Sequence, residues 1–142
     1  MIRRATEEDA AAIAQVYVHA RDEMTYISRF PDPDRSAVGG WIVRDNDVWV
    51  AEEEGAVVGF AGLEVGWLNH IYVDPSRQGH GIGTGLLDHA KALQPRGLQL
   101  WVFQRNEGAR RFYERNAFQL VELTDGAGNS EREPDARYEW VP

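Results

Sequence analysis

Cysteine is absent from the 142 residues. That excludes disulfides, zinc–thiolate centres and a cysteine nucleophile, and it fits a reducing compartment, the cytoplasm. Bases are scarce: 15 Lys and Arg stand against 23 Asp and Glu, a net charge of −8. Such a chain lacks the basic face on which nucleic-acid binders rely, so no nucleic-acid partner is expected. Acidity also serves solubility, the commoner reason for it in any one protein. Long apolar runs are missing too. The most apolar-leaning stretch, 56–68, contains Glu64 and several glycines and is too short to cross a bilayer, so no membrane partner is expected. The first nine residues turn acidic where a secretory signal would carry its apolar stretch. Four scattered histidines show no paired spacing, so no metal site is expected.

What is present suffices for one folded domain, residues 1–142, with 43% hydrophobic and 11% aromatic residues. A short strand is predicted at 2–5. Thr6-Glu7-Glu8-Asp9 then reads as a capping box, and Ile13, Val16, Tyr17 and Ala20 follow at helical spacing. Pro31 and Pro33 interrupt the next stretch, and a second helix is expected over 36–44. Three strands follow at 48–53, 56–65 and 67–73. A helix over 81–93 precedes a strand at 98–103, a helix at 107–115 and a strand at 118–123. A polar loop fills 124–136 before a last strand at 137–141. This order suggests a mixed sheet with helices on its faces. Trp41, Trp49, Trp101 and Trp140 are expected in the core, with His19, His80, His89 and the arginines 110, 111 and 115 in solvent or at rims.

Glycine recurs at every second position from Gly79 to Gly85, after a strand and at the start of a helix. That is the layout of an anion site, with bare amide N–H groups and the positive end of a helix dipole. A P-loop requires a lysine that 79–88 does not contain, and a GxGxxG dinucleotide pattern fails at Thr84 or Leu86 depending on its starting point. The third device that uses such glycines is a pantetheine-pyrophosphate cradle. Gln78-Gly79-His80-Gly81-Ile82-Gly83 resembles the cradle signature of the GCN5-related N-acetyltransferases (GNAT). Leu68 to Pro75 is similar to the strand that precedes it in that family. Asn106, Ala109 and Tyr113 resemble the family's second motif, which runs on to Phe118. Ala117 stands where the family has glycine, and 21–44 carry no family motif.

The resemblance implies an α/β fold of the α+β type: a central mixed, mostly antiparallel sheet flanked by about four helices. It implies acetyl-CoA as acetyl donor and direct attack by a primary amine of a small molecule or peptide in a ternary complex. The amides of Gln78, Gly79, His80, Gly81, Ile82, Gly83 and Thr84 would take the pyrophosphate. Ile71 and Val73 would pair with the peptide-like pantetheine and supply an oxyanion donor. Asn106 would hold the pantetheine or cap its helix, Ala109 would leave room for it, and Tyr113 would protonate the leaving thiolate. For the base that frees the amine, His70 and Glu64 are candidates, beside a water relay that leaves no signature. Strand alternation puts Trp67, Asn69, Ile71 and Val73 on one face and His70 on the other, unless a bulge intervenes. The acceptor is expected to be a small amine of cationic character drawn by the acids of the 124–136 loop. A homodimer is compatible with this reading. The alternative is a non-catalytic acyl-CoA-binding sensor or partner module of the same fold.

Overall fold

The computed structural model describes residues 1–27 and 32–142, with backbone only over 32–36. Seven strands form one sheet in the order β1-β2-β3-β4-β5-β7-β6. They are β1 (Ile2–Arg4), β2 (Asp47–Glu53), β3 (Ala56–Glu64), β4 (Trp67–Val73), β5 (Leu98–Phe103), β6 (Gln119–Leu123) and β7 (Asp135–Trp140). Every pairing is antiparallel except β4 with β5. The helices are α1 (Ala10–Asp22), α2 (Asp32–Asp45), α3 (Ile82–Leu93) and α4 (Glu107–Arg115). Among the described residues, the architecture is the mixed, mostly antiparallel sheet with four α-helices expected from the sequence.

The sheet is covered on both faces. Ile13, Val16 and Tyr17 of α1 and Val38 and Ile42 of α2 pack against Val48, Val50 and Phe60. Leu86, Leu87 and Ala90 of α3 and Tyr113 of α4 pack on the other face with Leu68, Leu98, Leu100 and Tyr138. β3 lies between these layers, which is why its sequence is apolar almost throughout. Leu86 and Leu87 are almost wholly buried, a gain of about 1.5–3 kcal/mol each over exposure. α2 approaches α1 backbone to backbone at Gly39, where a Cβ would lie 1.8 Å from the Ala10 carbonyl oxygen.

The sheet splits in the middle. β4 and β5 pair at Trp67 and Gln99, with the Gln99 N–H donating to the Gly66 carbonyl at 2.9 Å. Beyond that point no further pairing joins them among the described residues, and the two strands diverge into a wedge. β4 also carries a bulge: Gly62 pairs with His70 but Leu63 pairs with Leu68, leaving Asn69 unpaired. Simple alternation over 67–73 is therefore broken. Leu68 joins Ile71 and Val73 on the α3–α4 face, while His70 and Tyr72 meet Tyr17 on the α1 face.

Several boundaries move. α2 begins at Asp32 rather than residue 36. Pro33 falls in its first turn, where proline's fixed φ and missing N–H do no harm; Pro31 lies outside the described residues. β7 begins at Asp135, two residues before the expected start, so Asp135 and Ala136 belong to the sheet and not to the loop. Trp41 and Trp101 are 43% and 45% exposed, so neither is a core residue. His89 is half-buried, its ring tilted at 60° against Trp49 with centroids 4.4 Å apart. Arg110 is not on the wet side of α4; its Nε donates to the Tyr138 hydroxyl at 3.0 Å, and that hydroxyl donates to Glu114 at 2.7 Å.

α4 ends in a turn that holds Ala117 at φ 71°, the left-handed region that costs an L-residue about 1–2 kcal/mol. The Phe118 N–H still reaches the Tyr113 carbonyl at 3.0 Å, and Phe118 is buried. Ala117→Gly should relieve the strain and lose part of the gain to the freer unfolded chain, a net stabilisation of about 0.5–1 kcal/mol. A rise in the urea midpoint at unchanged slope is the expected reading.

Candidate active site

A cleft of about 1330 Å³ opens along the wedge between β4 and β5 and runs from the glycine turn to α1. At one end stands the N-terminus of α3. Gly79 and Gly81 hold φ of 85° and 80°, and a Cβ at either would meet nothing within 4 Å. Both glycines are thus required by the backbone and leave open space above it. Gly81 ends the turn without a side-chain cap, no acid lies in the first turn, and the first helical bond runs from the Gly85 N–H to Gly81. The amides of Ile82, Gly83 and Thr84 therefore lack helical partners and head the helix dipole. Gln78 turns its side-chain amide back to the Val73 carbonyl at 3.3 Å. His80 is exposed at the tip of the turn. Arg77, Arg111 and Arg115 also line the cleft.

The wedge exposes the edge of β4. The Asp74 N–H bonds to Val58 on β3 at 2.8 Å. Backbone groups alternate between the two edges of a strand, so those of Ile71 and Val73 point away from β3, into the wedge. Across it, α4 is capped by Asn106, whose side chain accepts from the Ala109 N–H at 3.2 Å. Ala109 and Tyr113, four residues apart on one face, both line the cleft. Burial is the main force raising the Tyr113 phenol above its ordinary pKa, with the Tyr72 hydroxyl adding to it. The proton stays on that oxygen at neutral pH.

The two base candidates part company. Glu64 is exposed at the outer end of β3, accepts from Asn69 at 2.7 Å, and is not among the cleft's lining residues. His70 lines the cleft, wedged beside Tyr17, Tyr72 and Phe60, and its Nδ1 is buried without a partner among the described residues. Burial first and the Arg21 charge second lower its pKa from 6.5 to about 4. A base that weak is ill matched to an ammonium of pKa about 10.4.

The 124–134 loop borders the far end. Its two glutamates are ion-paired, while Asp125 is exposed and accepts from the Ala127 N–H at 2.9 Å. Glu131 meets Arg21 at 3.0 Å and Glu133 meets Arg105 at 3.0 Å. Asp135, on β7, bonds to the Thr124 hydroxyl and accepts from the Asn129 amide at 3.1 Å. Glu133 and Asp135 are buried. Of the acids expected to draw a cation, Glu131 and Glu133 are ion-paired and Asp135 is hydrogen-bonded on β7, while Asp125 stays exposed.

Residues 44–120 match the acetyltransferase (GNAT) domain. The chain belongs to the GNAT acetyltransferase family. An uncharacterized N-acetyltransferase of Archaeoglobus fulgidus is 31% identical over 79% of this chain and 88% of its own length. One of Methanocaldococcus jannaschii is 35% identical over 61% of this chain, which spans only 46% of that relative. YncA of Salmonella typhimurium, solved with its cofactor acetyl-CoA, is 22% identical and superposes with a TM-score of 0.76 over 99% of this chain and 92% of that one.

In this GNAT family member, sequence reasoning overlooked the α1 end of the cleft, where α1 itself lies outside the matched 44–120. Arg21, Tyr17, Tyr26, Tyr72 and Phe103 all line it. One signal was there: Arg21 follows Tyr17 by four residues and so continues the buried stripe of α1 with a charge, which an ordinary packing stripe does not carry.

The burial of His70 has a thermodynamic consequence. Its folded pKa lies below its unfolded one, so between pH 6.5 and about 4 the unfolded chain binds a proton that the folded chain refuses. The stability this confers is complete above the unfolded value and is lost as pH falls through that window, by up to about 3 kcal/mol. His70→Phe keeps a ring among Tyr17, Phe60 and Tyr72 and should flatten this part of the stability–pH curve, as read by urea titrations at pH steps from 7 to 4.

Proposed function

We propose that the protein is an acetyl-CoA-dependent N-acetyltransferase that passes acetyl to a primary amine by direct attack in a ternary complex. The observation that carries this reading is the divergence of β4 and β5 beside an uncapped, glycine-lined helix start. One slot offers a strand edge to a peptide-like arm and bare amides to a pyrophosphate. The residues present fit acetyl-CoA. The amides of Gly79 to Thr84 take phosphate oxygens, and Arg111 and Arg115 are placed to meet a further phosphate. Ile71 and Val73 offer main-chain bonds, and an N–H of that strand stabilises the oxyanion as the thioester carbonyl becomes tetrahedral.

The amine must attack neutral, and the thiolate must leave protonated. Tyr113 faces the cleft with its proton in place and is the donor in this reading. Burial raises the basicity of the departing thiolate for the same reason that it raises the phenol, so the transfer stays feasible. Neither Glu64, outside the cleft, nor His70, held near pKa 4, is a good proton acceptor. A water relay out of the cleft is the better route for the ammonium proton.

The test is thiol release from acetyl-CoA against a panel of amines, amino acids, polyamines and lysine peptides. Transfer to at least one class is expected. Tight CoA binding with no transfer to any of them would support the sensor alternative, and no CoA binding would overturn both.

A further inference from the structure

Arg21 is the least expected charge in the molecule. Its side chain is 9% exposed. The guanidinium lies over the Tyr17 ring at 5.2 Å and the Phe103 ring at 5.9 Å. It hydrogen-bonds to the Tyr72 hydroxyl and to Glu131 at 3.0 Å. Burying a guanidinium costs several kcal/mol unless it is paired, and an apolar residue would fill this place on α1 without that cost. Its partner Glu131 is 26% exposed and comes from the loop over the cleft. Beside it, Tyr26 packs on Phe103 at 5.8 Å, and its buried hydroxyl has no hydrogen-bond partner among the described residues. A second guanidinium, Arg105, lies 5.8 Å from the Tyr26 ring, likewise matched by a loop glutamate. An anion-binding pocket is therefore filled by the chain's own carboxylates.

We propose that the acceptor is a small amine that also bears a carboxylate, as an amino acid does, and that this carboxylate takes Arg21 in exchange for Glu131. This rests on the acetyltransferase reading above. The exchange replaces one carboxylate by another, so the guanidinium stays paired while Glu131 moves to water from a partly exposed position. The planar fork suits a carboxylate held by two parallel bonds, and the Tyr26 hydroxyl, without a partner among the described residues, is a further donor. The aromatic walls keep water away and strengthen the pair. A purely cationic polyamine carries no group that could take Arg21 in place of Glu131.

A mere clasp that holds the loop to α1 would use the same pair, but the two roles differ in sign. If Glu131 competes with the ligand, its removal tightens ligand binding; if it only clasps the loop over the site, its removal loosens it. The experiment is calorimetric titration of the CoA-loaded protein with N-acetyl-amino acids, the products of the proposed reaction, and with their carboxamides. The wild type should prefer the carboxylate by about tenfold or more, the scale of one lost charge-assisted contact. Arg21→Gln should erase the preference. Glu131→Gln should tighten the carboxylate severalfold and leave the carboxamide unchanged. Equal binding of the pair, no binding of either at millimolar concentration, or a weaker carboxylate in Glu131→Gln would each overturn the proposal. So would an acetyl-lysine peptide that binds better than every N-acetyl-amino acid. If Arg21→Gln does not fold, the Glu131 variant and the carboxamide comparison still decide. Acetyl transfer is measured separately: loss of transfer to every amine would overturn the proposed function, whereas a missing carboxylate preference in an active enzyme overturns only this inference.

Discussion

Tyr113→Phe should lower turnover by about 10²-fold or more, the usual scale for one general acid, while leaving CoA affinity close to wild type. The substitution keeps the ring among Phe112, Phe118 and Tyr138, which lie 5.5, 5.7 and 6.3 Å away. It removes only the hydroxyl, on a residue that lines the cleft and whose hydroxyl makes no hydrogen bond among the described residues. The rest of α4 is held independently by Asn106 at its start and by the Arg110–Tyr138–Glu114 chain along its side. The variant should therefore fold, and a loss of kcat at constant CoA affinity reports the proton. A slower phenomenon such as product release would show instead as unchanged single-turnover chemistry. Wild-type turnover would return Tyr113 to the core as one more packed aromatic.

The contrast between the two ends of the cleft explains what could be read from residues alone. The glycine turn and the uncapped start of α3 were legible because the positive φ of Gly79 and Gly81 leaves a glycine pattern in the sequence. α4 was legible because its cap, its small residue and its tyrosine are fixed by helical spacing. The α1 end joins Arg21 on α1, Tyr72 on β4, Phe103 on β5 and Glu131 in a loop, pairs that are up to 110 residues apart. No local period links them. The bulge at Asn69 was equally hidden, since it follows from how β4 pairs with β3 and not from the composition of either. The loop misled for a related reason. A run of acids reads as a solvated face until its partners are known, and here the partners lie on α1, beside α4 and within the loop itself. Asp135 reads as a loop acid by composition, yet pairing with Phe103 places it on β7.

Gly81→Val should weaken CoA binding by about 10²- to 10⁴-fold, the equivalent of two charge-assisted hydrogen bonds to phosphate. Two separate effects contribute. Gly81 holds φ 80°, a conformation that a β-branched residue adopts only with strain. A Cβ would also stand in the open space above the amides of the turn, where nothing from the protein lies within 4 Å. Gly81→Asn separates them, because asparagine tolerates the left-handed region better than other residues but still carries a Cβ. If the space is reserved for a pyrophosphate, Asn should be almost as harmful to CoA binding as Val while costing less stability. If the turn needs glycine only for its φ, Asn should bind CoA nearly as the wild type does. Melting temperatures of both variants without ligand give the strain, and calorimetry with CoA gives the contact. The cradle reading stands on the second outliving the relief of the first.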